Sequence, residues 1–173
     1  MSMIEQKRTT LVSTVLALIV AIAAQSNAFA LTSANLHLQG TVDTLVSISV
    51  TSAPSASSLD LHNSASNLKV ADVQEFSNSS TGYQVTLVSA NAGNLRNTSA
   101  SGEVIKDFTY SATYNGSAVQ LSQSPQQITL FQSPINDPVT FTKEFNISYT
   151  GIPQNQLPSG VYQDDLTFEI AAL

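Results

Sequence analysis

The sequence predicts an all-β fold, and three observations carry the prediction. No segment after Ala30 repeats its apolar residues at helical spacing. Short runs instead alternate apolar and polar residues at a period of two, which places one set of side chains on one face of a strand. Turn-forming Gly, Pro, Asn and Ser clusters separate these runs, and Asn115-Gly116 stands directly between two of them. Both residues tolerate the positive φ of a type I′ hairpin turn. About seven to nine such runs in one domain argue for a β-sandwich of immunoglobulin-like architecture, without the tryptophan and cysteine of antibody domains.

The leading run is the most informative. From Leu36 to Val50 the residues Leu36, Leu38, Val42, Val46, Ile48 and Val50 share one phase, with Gly40 and Thr44 between them. As one strand it would span roughly 50 Å, against about 17–20 Å for an ordinary strand. The economical reading is two strands in series, the first pairing with something outside its own domain. A plainer reading is one strand bent at Gly40 by a bulge. Against it, Leu36, Leu38 and Val42 would each gain roughly 1.5–3 kcal/mol on burial. Left bare they form an apolar edge that invites aggregation. An extended segment added to another sheet, with alternate side chains in pockets, answers both problems.

Further strands follow in order. Lys69 to Phe76 holds Val70 and Phe76, its alternation weakened by Asp72 and Gln74. Gly82 to Ser89 places Tyr83, Val85 and Leu87 on one face. Val104 to Tyr114 aligns Val104, Phe108, Tyr110, Ala112 and Tyr114, and Ser117 to Leu121 returns after the Asn-Gly turn. Gln127 to Phe131 is short; Val139 to Tyr149 turns Val139, Phe141, Phe145, Ile147 and Tyr149 inward. The last run, Val161 to Ala171, sets Tyr162, Leu166, Phe168 and Ile170 against Asp165, Thr167 and Glu169. Ser52 to Ser58 and Ala90 to Gly102 read as loops.

Residues 1–30 read as a signal peptide. Lys7 and Arg8 precede an apolar run, Leu11 to Ala24, and Ala28-Phe29-Ala30 predicts cleavage between Ala30 and Leu31. The run is shorter than the ~20 residues that cross a bilayer, so no membrane insertion is expected of the mature chain. Residues 31–43 then form an N-terminal extension and 44–173 one β-sandwich domain. The chain has no cysteine, which excludes disulfides, thiolate zinc sites and a cysteine nucleophile. Lys69, Arg96, Lys106 and Lys143 face all but Glu5 of the twelve Asp and Glu. No basic patch exists for a phosphate backbone, so nucleic acid is not an expected partner.

Catalytic readings find little support. His37 and His62 are the only histidines and no Gly-x-Ser-x-Gly elbow occurs. Asp164-Asp165 is the one adjacent carboxylate pair, and on a strand its members point to opposite faces. Asp164 is read as a turn residue at the start of a strand and Asp165 as solvated. Asn78, Asn97, Asn115 and Asn146 each head an Asn-x-Ser/Thr match, a frequency expected by chance in so polar a chain. No catalytic residue, metal site or cofactor is expected.

Two runs carry a resemblance. Leu36-His37-Leu38-Gln39-Gly40-Thr41-Val42-Asp43, after a signal cleavage site, resembles the N-terminal donor strand of chaperone–usher pilins. The closing run from Ser159-Gly160-Val161-Tyr162 to Ile170 resembles the C-terminal strand of the same subunits, and Gly82 to Leu87 and Tyr114-Asn115-Gly116 also fit. Lacking cysteine, the chain looks closer to the colonisation-factor (alpha) fimbriae than to the type 1 class. The resemblance implies an incomplete, pilin-type sandwich that lacks its final strand and so keeps an apolar groove. A periplasmic chaperone would fill the groove first, contacting the C-terminal strand at Leu166, Phe168, Ile170 and Leu173. At an outer-membrane usher, Leu36, Leu38, Gly40 and Val42 of the next subunit would replace it. The function implied is a structural subunit of a surface fimbria that supports adhesion. The alternative from a different class is a self-contained secreted β-sandwich that binds carbohydrate or protein.

Overall fold

The computed structural model describes residues 32–99, 101–132 and 136–173. The expected signal segment, with Ala30 and Leu31 at its cleavage site, lies outside them. The chain divides after Thr41 into two units. In the first, residues 32–41 form neither helix nor strand.

The second unit is all-β, and every strand pair in it is antiparallel. Its strands are β1 (Val46–Ser52), β2 (Ala65–Ser77), β3 (Tyr83–Ser89), β4 (Asn94–Thr98), β5 (Val104–Thr109) and β6 (Ser111–Tyr114). There follow β7 (Ser117–Val119), β8 (Gln126–Phe131), β9 (Val139–Tyr149), β10 (Tyr162–Gln163) and β11 (Leu166–Ala172). They form sheets ordered β1-β2-β9-β6-β7, β11-β3-β8 and β10-β4-β5. One hydrophobic cluster draws on all three, with Val73, Leu87, Phe108 and Phe145 almost wholly buried. This arrangement is consistent with a β-sandwich.

The alternation read from sequence holds where a strand buries one face. Tyr83, Val85 and Leu87 are buried on β3, and Phe145, Ile147 and Tyr149 on β9. Asn115 and Gly116 take φ of 48° and 80° between β6 and β7, as a type I′ turn requires. Four readings need correction, the first being the plainer one of a single bent strand from Leu36 to Val50. Leu36–Val50 is not one strand: residues 32–45 carry no strand, and the β1–β2 ladder ends at the Val46–Ser77 pair. Alternation selects a face, but a strand forms only where a neighbour supplies backbone partners.

The second correction concerns β2. Its register slips between Lys69 and Ala71, so Val70 faces the core but Ala71, Val73, Glu75 and Ser77 do so afterwards. One extra residue exchanges the two faces, which leaves Phe76 on the opposite side from Val70. Third, Val104–Tyr114 breaks at Tyr110: β5 pairs with β4 and β6 with β9, so one run serves two sheets. Fourth, the expected loop Ala90–Gly102 contains β4. Leu95 is its one large apolar residue, and polar contacts complete it, with Asn97 donating to the Ser159 carbonyl at 3.2 Å.

Candidate functional site: a groove between the first and last strands

β1 bonds to β2 and β11 bonds to β3, and among the described residues neither has a second strand partner. Their other edges face each other. Val46 and Ile48 line a cavity of about 770 Å³ with Ile170 and Ala171. Gln84, Thr86 and Glu169 add polar groups to that cavity, and Val50 and Ser52 line a further one of about 240 Å³ with Leu166 and Phe168. The two strands therefore run antiparallel to each other along one trough. Their Cα traces come within 8 Å without a shared backbone hydrogen bond.

The floor of the trough comes from deeper strands. Val70 and Ala71 of β2, Leu95 of β4 and Phe145 and Ile147 of β9 lie beneath its narrower part. Phe168 packs edge-on against Phe145, ring centroids 5.4 Å apart, and tilts toward Tyr114 at 6.2 Å. Leu166, Phe168 and Ile170 are half-buried while Thr167 and Glu169 are exposed, the alternation the sequence led us to expect. The half-buried set is apolar surface that a neighbouring strand would cover.

Asp164 closes the narrower end. Its Oδ2 accepts hydrogen bonds from Ser89 Oγ at 2.6 Å and Tyr110 OH at 2.7 Å, and its Oδ1 accepts from the Asn91 N–H at 2.8 Å. Burial, and then the bond to Asp164, push the Tyr110 hydroxyl well above the ordinary phenol range. It stays a protonated donor at any physiological pH. Asp164 thus does more than turn the chain: it ties the start of β11 to the β3–β4 connection. Asp165 is exposed, as expected.

The other residues singled out from sequence fall as follows. Leu36, Leu38 and Val42 are 83%, 82% and 87% exposed. A Cβ on Gly40 would meet nothing within 4 Å. Leu173 donates its N–H to the Gly82 carbonyl at 3.1 Å, and its own carbonyl accepts from Thr81 Oγ1. His37 is exposed, and His62 Nδ1 lies 3.1 Å from the Ile152 carbonyl. Asn97 and Asn146 are buried and Asn115 belongs to its turn, so three of the Asn-x-Ser/Thr matches have structural roles.

The floor residues were not assigned from sequence. The β9 alternation was the available signal for Phe145 and Ile147; nothing in composition marks Leu95. A second cleft, about 800 Å³, opens beside β5 and is rimmed by Ser64, Ser66, Lys106, Asp107 and Ser111. Phe108, Tyr149 and Ile152 add apolar lining to it, but it does not lie between the β1 and β11 edges. No protein-family model matches the chain, and no curated protein matches it.

Proposed function

We propose that this protein is a structural subunit of a cell-surface fimbria, polymerising by donor-strand exchange. In this reading the sandwich is an immunoglobulin-like one lacking a strand, and the β1–β11 trough is where the strand is missing. The observation that supports it most is a match within one chain. The trough offers two unpaired edges above an apolar floor, and Leu36, Leu38 and Val42 offer an exposed apolar row with period two. An added strand would satisfy backbone groups on both edges and bury side chains alternately. Burying the three large donor residues contributes on the order of 5–8 kcal/mol before entropy is counted.

A contact between two different surfaces of identical subunits builds a filament when successive copies do not close into a ring, as in this reading. The partners are then other copies of this chain, a periplasmic chaperone that covers the trough before assembly, and an outer-membrane usher. The place of action is the cell surface, reached through the periplasm. The size distribution of the exported mature protein, with and without residues 31–42, tests the proposal. High-mass polymer that vanishes on truncation is expected, with folded truncated subunit recovered only when a complementing strand is supplied. A stable monomer in both forms would overturn it and favour a self-contained secreted binding module.

A further inference from the structure

Asn78 follows β2 directly and makes three hydrogen bonds to the chain ahead of β1. Its N–H donates to the Leu45 carbonyl at 3.1 Å. Its side-chain Oδ1 accepts from the Leu45 N–H at 2.6 Å, and its Nδ2 donates to the Asp43 carbonyl at 3.0 Å. The first bond continues the β1–β2 register by one pair beyond Val46–Ser77. The side-chain bonds carry the connection on to Asp43, although the strand has ended. An amide side chain supplies an acceptor and a donor together, which a serine or an ionised aspartate cannot do in this arrangement. Residues 43–45 are thereby held along the β2 side of β1.

The trough lies on the other side of β1. Only three residues, Asp43, Thr44 and Leu45, lie between Val46 and Val42, the nearest donor residue. Placing the segment in its own trough parallel to β1 would need a crossover of about a dozen residues. An antiparallel hairpin is the remaining route, and three-residue hairpin loops are common. With Asp43-Thr44-Leu45 as the loop, Val42, Gly40, Leu38 and Leu36 would run back past Val46, Ile48, Val50 and Ser52. The Asn78 bonds occupy that loop. A reversal placed ahead of Asp43 would consume Val42 and Gly40 and leave only Leu36 and Leu38 to insert.

Resting on the strand-exchange reading, we infer that Asn78 is a positioning residue that keeps the Leu36–Val42 segment out of its own subunit's trough and available to another. The need is physical: a short tether gives an effective concentration in the millimolar range, so an unrestrained segment would favour its own subunit.

The test refolds the mature chain over a series of concentrations as wild type, Asn78→Ala and Asn78→Asp. Monomer share is read by size, and monomers are offered a labelled synthetic peptide of residues 34–44. In Asn78→Ala the concentration-independent monomer is expected to rise about threefold or more and to take up correspondingly less peptide. Asn78→Asp, which keeps an acceptor for Leu45 but no donor for Asp43, is expected to fall between the two and decides the matter if Asn78→Ala does not fold. Polymer and peptide uptake equal to wild type in the folded variants would overturn the role of Asn78 and leave strand exchange standing. No polymer and no peptide uptake in any of the three, wild type included, would overturn strand exchange and this inference with it.

Discussion

The ammonium of Lys143 lies 2.8 Å from Oε2 of Glu75, a carboxylate with no exposed surface. Oε2 also accepts from Tyr83 OH at 2.8 Å, while Oε1 accepts from Tyr114 OH at 2.5 Å and Thr129 Oγ1 at 3.0 Å. Lys143 in turn sits 5.4 Å from the centroid of the Tyr114 ring and donates to Thr129 at 2.8 Å. A charge is stable in such a place only because each lone pair has a donor.

Removing one partner should therefore be worse than removing both. Lys143→Met strands a buried carboxylate and is expected to destabilise the mature protein by about 3–5 kcal/mol. The double variant Glu75→Gln/Lys143→Met should recover most of that loss. Urea denaturation of the three proteins reads the difference, and equal loss in single and double variants would refute the argument.

Asp164 should matter most to the strand it introduces. Asp164→Ala leaves the Tyr110 hydroxyl without its acceptor and is expected to lower stability by about 1–3 kcal/mol. Tyr110→Phe removes both the donor and the need for it, so its effect should be smaller. Amide hydrogen exchange in Asp164→Ala should accelerate in β11 more than in β9.

Alkali should unfold the protein through its tyrosines. Burial, and then bonds to Glu75 or Asp164, raise Tyr83, Tyr110 and Tyr114 far above the ordinary phenol range. Above an unfolded value of about 10, the unfolded chain releases protons that the folded chain retains, so stability falls as pH rises. Below that value their contribution is fully present. Each tyrosine should contribute a slope of roughly 1.4 kcal/mol per pH unit. Phenolate absorbance from these three residues is expected to appear together with loss of the β-sheet circular dichroism, not before it.

Leu38→Asp tests the donor row. In the strand-exchange reading, a carboxylate in an apolar trough would have to be buried without a partner, so this variant is expected to be exported and fold yet fail to polymerise. Normal polymer from it would count against strand exchange.

Much of this architecture was legible because burial on one face writes itself into sequence as alternation. Tyr83 to Leu87, Phe145 to Tyr149 and Leu166 to Ile170 are such cases, and Asn115-Gly116 carries its own turn chemistry. The misreadings share a cause: each depended on a partner distant in sequence. The slip at Lys69–Ala71 exchanges faces without changing composition. Glu75 reads as a solvent residue until Tyr83, Tyr114, Thr129 and Lys143 converge on it. The polar strand Asn94–Thr98 exists because β5 and β10 flank it. One wall of the trough was foreshadowed by Phe168 and Ile170; the floor at Leu95 and the Asn78 bonds could be seen only once the chain was folded.

The antiparallel course of β1 and β11 bears on how a filament would carry load. In the strand-exchange reading, tension along the fibre would reach each joint through the backbone of the inserted segment, drawn along its own axis. Hydrogen bonds on both of its edges would then be sheared together rather than peeled open one at a time. Rupture would require many bonds to yield at once, so a joint built without any covalent link could outlast forces that unzip a hairpin from its end.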